Sequence, residues 1–464
     1  MAATRSDESA ARDAALVARY RQVEALLAAR WPENRIAPTL TRITAVMELL
    51  GEPQRACPVI HLAGTNGKTS TARMIESLLG AFGLTTGLFT SPHLHSMRER
   101  VRVAGAPVSV DRFVAGYDDI APYLAIIDER ATQIDGTQLS FFESITALAF
   151  ALFADAPVDV AVVETGLGGT WDATNIVDAR VAVITPVALD HQEYLGDTVA
   201  QIASEKAGII KAGAEVVLSQ QVQPAAEVLL ARVGEVGAGV VREGLDFAVV
   251  HRDLAVGGQL LTLQGLGGQY DDLFLPLFGA HQAHNAAVAL AAVESFLGGG
   301  QSTLDLDLVR KGFADVSSPG RLEVVRRGPT VLVDAAHNPH GALALAEGVR
   351  DGFDFTHIVG LVSVLAGKDA RGLLEALEPL LAEVVVSANS SPRALDPDEL
   401  GAIAVDVFGS QRVEVVPRFP EAVETAVRLA DEAAAELGGG TGVLITGSVV
   451  TAADGRALLG RTEV

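Results

Sequence analysis

In the stretch HLAGTNGKTS (61–70), glycines at 64 and 67 bracket Thr65 and Asn66, an amine follows at Lys68, and hydroxyls follow at Thr69 and Ser70. This grouping suits phosphate. Backbone N–H groups at a helix start, an ammonium able to reach a nucleotide's outer phosphates and neighbouring hydroxyls together make an anion site. A standard phosphate loop reads G-x-x-x-x-G-K-[ST]; counting back from Gly67-Lys68 puts Leu62 where the first glycine belongs, so this loop is a shortened one. The plain alternative is a glycine turn capping a helix. The flanks favour the loop: Val59-Ile60 leads in as a strand and TARMIESLLGAF leads out as a helix.

A second group has the chemistry of a cation site. Glu164 ends the strand-like VDVAVVE, His191 follows VAVITPVALD, and Ser91 follows GLFT. All three are therefore expected at the carboxyl ends of parallel strands, the rim where open α/β sheets bind ligands. Glu and Ser oxygens suit Mg²⁺, and one imidazole among them leaves Mn²⁺ open. Lys206, in SEKAGIIK, is expected in the first turn of a helix, where the dipole disfavours a cation; its plain reading is an ion pair with Glu205 or Asp190. In GLGGTWDATN, Gly168 and Gly169 permit close backbone approach, and Asp172 can either cap a turn or accept N–H groups from a bound heterocycle. Further along, the Asn285 amide fits an adenine edge, the Arg321 guanidinium fits phosphate, Asp334 can accept ribose hydroxyls, and His337 lies just beyond a strand end. Helix cap, surface charge and turn residue are the plain readings of these four.

These residues need a scaffold, and the chain has the length for one. Its 464 residues, 49% hydrophobic, suffice for two or three domains of common size. Aromatics are scarce while Ala, Gly, Val and Leu dominate, which suits helices packed on buried parallel strands. Strand-like PVIHLAG, TTGLFTS, VDVAVVET, ARVAVITPV and AEVVLS alternate with helical patterns; residues 245–276 read as a small β excursion, and a helix is expected over 281–297. After SSPG (317–320) the rhythm restarts through LEVVRRGPTVLVDAAH, THIVGLVSVL, AEVVVSAN, RVEVVP and GVLITGS. The expected fold class is α/β: a P-loop-type, mostly parallel sheet flanked by helices, plus a smaller C-terminal Rossmann-like α/β domain. The division is 1–35 as an N-terminal helical extension, 36–316 as the central domain and 317–464 as the C-terminal domain. Leu16, Tyr20, Val23, Leu26 and Leu27 fall at helical spacing, predicting an amphipathic surface helix that ends near Trp31-Pro32.

A formal charge of −23 argues against a nucleic-acid surface. The single Cys57 excludes intramolecular disulfides and cysteine-based zinc sites, and with no signal-type segment or long apolar run the expectation is a cytoplasmic protein without a membrane span.

Taken in order, the motifs resemble the Mur ligase superfamily, whose members carry G-T-N-G-K on such a shortened loop. Within it the match is to folylpolyglutamate synthases, including the bifunctional dihydrofolate synthases. The shared blocks are TSPHL (90–94), LSFFE (139–143), ETGLGGTWDATN (164–175), ALDHQEYLG (188–196), SEKAGIIK (204–211), PGRLE (319–323) and DAAHNPHGA (334–342). The resemblance implies that ATP is held by Gly64, Thr65, Asn66, Gly67, Lys68, Thr69, Ser70, Asn285, Arg321, Asp334 and His337. It implies that Ser91, Glu164 and His191 hold Mg²⁺, and that Lys206 is carboxylated by CO₂. Phe141, Phe142, Trp171, Asp172 and Ala173 would line a pterin pocket. Two departures stand out: Thr170-Trp171 replaces the family's Arg-Leu, which removes an anion contact there, and Gly367-Lys368-Asp369 replaces D-K-D.

The implied reaction moves the γ-phosphoryl group of ATP to the carboxylate of a reduced folate or dihydropteroate. L-glutamate then displaces phosphate, with Lys68, Lys206 and His337 as the catalytic candidates in a monomer. A muramyl-peptide ligase of the same superfamily and a nucleotide-dependent binding module are the rival readings. The second gives no reason for Glu164, His191 and Lys206.

Overall fold

The computed structural model describes residues 2–32 and 37–461. The boundary expected between residues 35 and 36 lies outside the described residues. Eight strands form the first sheet: β1 (Val59–Ala63), β2 (Thr86–Phe89), β3 (Val101–Val103), β4 (Ala106–Pro107), β5 (Val160–Glu164), β6 (Val181–Ile184), β7 (Glu215–Leu218) and β8 (Gly239–Arg242). Their order is β4-β3-β2-β5-β1-β6-β7-β8, parallel from β2 through β8 with β3 and β4 antiparallel at one edge. Every residue of β1, β2, β5 and β6 is buried, because helices cover both faces; such strands read as unbroken apolar runs, as these do. The chain leaves β1 in one direction to reach β2 and crosses back over it between β5 and β6. The crevice of this switch therefore opens at the carboxyl ends of β5, β1 and β6.

The helix Lys68–Ala81 follows β1 directly. It buries Ala72, Met74, Ile75, Leu78 and Leu79 in a core shared with the helix Ala280–Gly298, whose Ala286 to Val293 are all buried. An antiparallel sheet of β9 (Ala248–Ala255), β10 (Gly258–Gln264) and β11 (Gln269–Leu275) forms the expected excursion over 245–276 and closes that core through Leu261, Leu263, Tyr270 and Leu273.

The C-terminal sheet holds β12 (Glu323–Arg326), β13 (Thr330–Val333), β14 (His357–Val362), β15 (Glu383–Ala388), β16 (Val413–Arg418) and β17 (Thr441–Thr446) in the order β12-β13-β17-β14-β15-β16. Only β12 runs antiparallel. Alternate residues of β13 feed two cores, Leu332 on one face and Val331 with Val333 on the other, as a period of two requires. The N-terminal helix Ala2–Ala28 buries Tyr20, Val23 and Leu27 in the core beneath the helices Val110–Glu129 and Phe141–Asp155, while Leu26 faces solvent. Among the described residues no helix is long and apolar enough to cross a membrane.

Candidate functional site

Gly64 leaves β1 at φ +156°, where an added Cβ would come within 1.8 Å of Thr185 Oγ1. Gly67 caps the following helix at φ +87°, and a Cβ there would meet Asn285 Oδ1 at 2.6 Å. Both positions need glycine for conformation and for space. The loop does not offer all its N–H groups outward: Thr65 and Asn66 donate theirs to Pro186 O at 2.9 and 3.4 Å. The donors left for an anion narrow to the first turn of the helix that begins at Lys68, whose N–H groups have no intrahelical acceptor. Lys68 Nζ curls back on the Gly64 and Thr65 carbonyls at 3.0 and 3.3 Å. Asn285 lies in the second turn of its helix and packs beside Gly67, its amide donating to Gln282 Oε1 at 3.1 Å, and Gln282 in turn donates to Ser70 Oγ at 3.3 Å.

Glu164, the last residue of β5, is 2% exposed. Both of its oxygens accept from the Thr69 hydroxyl at 3.0 Å, and one also accepts from Ser91 N–H at 3.3 Å. Burial pushes its carboxyl above the ordinary value; Lys68, Thr69 and the Ser91 amide oppose that shift, and Arg321 opposes it more weakly. Lys68, Thr69, Ser91 and Glu164 thus share one cleft. His191 is not drawn into this group by a hydrogen bond: it lies beyond the end of β6, on a loop, with Nε2 3.1 Å from Lys368 Nζ. Burial, with Lys368 and His337 nearby, lowers its pKa to about 4 although Asp190 works the other way. Among the described residues no three His, Cys, Asp or Glu side chains are gathered as a metal cage. Donors that fit a hard cation are the Glu164 carboxylate and the Thr69 and Ser91 hydroxyls, an oxygen set of the kind Mg²⁺ takes.

Lys206 corrects an expectation. It ends the helix Val199–Lys206 instead of opening one, because Thr198 and Gln201 form a capping box upstream. The helix dipole there favours a cation. Its partner is neither Glu205 nor Asp190: Nζ donates to Gly64 O at 2.8 Å, the carbonyl that Lys68 also uses. Burial first, and the Lys68 ammonium second, lower its pKa to about 7.

The C-terminal sheet domain reaches into the same cleft. Asp190 accepts from Lys368 Nζ at 2.6 Å and from Asn338 Nδ2 at 3.0 Å, and lies 3.3 Å from His337 Nε2. Burial disfavours its charge, yet His337, His191 and Lys368 hold the carboxyl well below the usual range. Asn66 and Asn338 exchange amide hydrogen bonds at 3.3 and 3.2 Å, and Asn66 also meets His340 Nδ1 at 3.0 Å. His337 Nδ1 lies 3.0 Å from Ala335 O. Asp334 accepts from Leu322 N–H and Ala336 N–H, each at 2.7 Å, so it shapes the turn bearing Arg321; burial raises its pKa and Arg321 opposes this. Sequence reasoning misses Asn338, Gln282 and the acceptor role of Asp190. For Asn338 a local signal exists, since Asn-Pro at 338–339 is a helix cap with proline at the first position.

The five residues expected around a pterin divide. Phe142 lies with Phe89, ring centroids 5.8 Å apart, and against Gly166, where a Cβ would approach it to 2.5 Å. Phe141 is buried with the Arg100 guanidinium 5.0 Å from its ring centroid, and Ala173 belongs to the same core. Trp171 joins a different cluster, with Leu195 and Leu167, and lies against Gly168. Asp172 caps the short turn Ala173–Ile176: one oxygen accepts from the N–H and hydroxyl of Thr174, the other from Leu167 N–H at 2.8 Å. These bonds make Asp172 a cap, as one of its two readings expects.

Comparison with known proteins adds two family matches, the Mur ligase middle domain over residues 62–293 and the Mur ligase glutamate ligase domain over 320–449. The dihydrofolate synthase/folylpolyglutamate synthase of Mycobacterium tuberculosis is 53% identical over 461 residues, covering 96% of this chain and 95% of its own. The structure of the Mycobacterium tuberculosis folylpolyglutamate synthase complexed with ADP superposes with a TM-score of 0.93 over 97% of this chain and 100% of that one, at 53% identity. A folylpolyglutamate synthase complex with AMPPCP and folate matches with a TM-score of 0.82 at 31% identity, over 95% and 99% of the two chains.

Proposed function

The chain belongs to the Mur ligase family, in its dihydrofolate synthase/folylpolyglutamate synthase branch, and on that footing we propose how its residues divide the work of an ATP-dependent ligase that adds glutamate to a folate. The observation that carries the assignment is the adjacency of Lys68 and Glu164, joined through Thr69 in one cleft.

The first turn after Gly67, with Lys68 and Ser70, holds the outer phosphates of ATP, and Asn285 takes the adenine edge. Arg321 contacts phosphate and Asp334 the ribose. The folate carboxylate attacks the γ-phosphorus, the bond to the bridging oxygen breaks, ADP departs, and an acyl phosphate remains. Phosphoryl transfer depends on charge neutralisation, which Lys68 and Arg321 supply from opposite domains. Bound Mg²⁺, or Mn²⁺, would add to that neutralisation; Glu164, Ser91 and His191 are the residues to hold it, beside the Thr69 hydroxyl. The unprotonated amine of L-glutamate then attacks the acyl carbon, and phosphate leaves as the amide forms. A proton must leave that amine, and His337, beside Asp190, stands where the two domains meet.

Phe141, Phe142 and Ala173 form one wall of the folate site, with Asp172 shaping its floor as a cap and Trp171 bordering it. Carboxylation of Lys206 suits its environment: CO₂ adds to a neutral amine, and a pKa of about 7 leaves a large neutral fraction at physiological pH. Residues 36–316 and 317–464 are the two domains of the working enzyme, which acts as a monomer in the cytoplasm where ATP is supplied. Dihydropteroate is a second acceptor.

The test incubates purified protein with ATP, Mg²⁺ and L-glutamate, with tetrahydrofolate, dihydropteroate or a muramyl peptide in separate arms, and weighs the products by mass spectrometry. Glutamylated pterins that form only with both ATP and glutamate support the proposal. A product in the muramyl arm alone, or phosphate release without any amide, would overturn it.

A further inference from the structure

The segment Asp135–Ser140 leads into the helix that begins at Phe141, and it holds its shape with little apolar support: of its residues only Leu139 is buried. Two arginines from the amino-terminal part of the chain grip it instead. Arg42, 4% exposed and set in the helix Thr41–Leu49, directs Nε to the two Glu143 oxygens at 3.0 and 3.3 Å. Its Nη1 donates to Asp135 and to Thr137 Oγ1, and Nη2 to Ala37 O at 3.1 Å. Arg30, just past the first helix, donates to Asp128 Oδ2 at 2.9 Å and to Leu139 O at 3.4 Å, while Asp128 Oδ1 accepts from Leu139 N–H at 2.9 Å. Beside them Trp31 O accepts from Phe141 N–H at 2.8 Å. Glu143 is the shared part: the carboxylate that pairs with Arg42 also accepts Ser140 N–H at 2.8 Å and so completes the capping box of the Phe141 helix.

From this geometry we infer that Arg30 and Arg42 are positioning residues for the acceptor pocket, a two-arginine clamp through which the amino-terminal helices fix Phe141 and Phe142 for the pterin. The inference rests on the reading of those two phenylalanines as pocket wall. A guanidinium presents five N–H donors in a rigid fork, so one side chain can tie the loop, the helix cap and the chain at Ala37 into a single geometry, which a flexible ammonium cannot reproduce. Loss of the clamp lets the loop sample other conformations, and an acceptor then binds only the fraction that still has the two rings in place. The nucleotide cleft, built on β1, β5 and β6, does not depend on this loop.

The measurement is steady-state kinetics with amide hydrogen exchange on the full chain, comparing wild type, Arg42→Met, Arg42→Lys and the double change Asp135→Ala with Thr137→Ala. The double change cuts the loop's tether and leaves the buried Arg42–Glu143 pair intact, so it reports even where Arg42→Met does not fold. If the competent population falls to about a tenth, the KM for the folate acceptor rises about tenfold. The KM for ATP and kcat stay within about twofold, Arg42→Lys does not restore the acceptor KM, and exchange quickens over residues 135–145. An unchanged acceptor KM in the double variant, or a KM for ATP that rises in step with it, overturns the clamp. Wild-type protein that glutamylates no pterin would instead count against the function, so the two failures are told apart.

Discussion

Three glycines on one loop and helix should respond to the same substitution in three different ways. At Gly64 an alanine must adopt φ near +156° and place its Cβ 1.8 Å from Thr185 Oγ1 and 3.0 Å from Thr185 O. Thr185 is fully buried just past β6, so neither chain can withdraw cheaply. Backbone strain of about 1–3 kcal/mol and overpacking of about 1–3 kcal/mol add to roughly 2–6 kcal/mol, a large part of the 5–15 kcal/mol that holds a typical domain. At Gly67 the strain of φ +87° remains, but the clash at 2.6 Å is with the end of the Asn285 side chain, which can swing away. Gly67→Ala should therefore cost about 1–2 kcal/mol of stability, and its larger effect should be a raised KM for ATP through the displaced amide. Gly80 is exposed near the end of the same helix, with nothing within 4 Å of the methyl that alanine would add, so Gly80→Ala should stabilise by about 0.5–1 kcal/mol. Thermal and urea unfolding, with ATP titrations of each variant, give the ranking. A Gly64→Ala protein as stable as wild type, or a Gly80→Ala protein as damaged as Gly64→Ala, would refute the steric reasoning.

Lys68→Met should abolish acyl phosphate formation while the fold persists, since the hydrogen bonds its ammonium gives up are those to the Gly64 and Thr65 carbonyls; sustained ligase turnover would remove Lys68 from the mechanism. In CO₂-free buffer, where its amine is uncarboxylated, Lys206 has its pKa lowered from 10.5 to about 7 by folding and so binds one proton more in the unfolded chain between those values. Wild-type stability should therefore climb relative to Lys206→Met as pH rises from 7 toward 10, by a total on the order of 4 kcal/mol, and parallel pH profiles would contradict this. Asp190→Asn should weaken the hold of His337, Asn338 and Lys368 on the central domain, seen as faster amide exchange at 337–340 and 366–369 with a higher KM for glutamate; protection equal to wild type would show that Asp190 is not the tie.

Periodicity makes the scaffold legible. The strands of the main sheet and the helix behind Lys68 follow from unbroken apolar runs and a glycine turn, since buried parallel strands carry their own signature. The site is legible where one short motif supplies several groups, as at 64–70. It is hidden where partners lie far apart: nothing near Asp190 announces that Asn338 and Lys368, 148 and 178 residues on, will meet it. The N–H groups of Thr65 and Asn66 read as phosphate donors for the same reason, because nothing local shows Pro186 claiming them from beyond another strand. Lys206 sits at the opposite end of its helix from the one expected, although Thr198 and Gln201 carry the capping signal. At Asp172 the sequence allows a cap or a ligand contact, and its bonds to Thr174 and Leu167 emerge only in three dimensions.

The paired amides of Asn66 and Asn338 span 272 residues of chain. A nascent polypeptide that has emerged only as far as residue 316 would already possess the phosphate loop and the buried carboxylate, but no roof over them. Any acyl phosphate made in such a fragment would lie open to water and be hydrolysed, spending ATP without forming an amide. On the proposed division of labour, positions 317–464 bring Arg321 and Asp334 to the nucleotide as well as the cover, so a fragment lacking them would be expected both to activate its acceptor poorly and to lose what it activates.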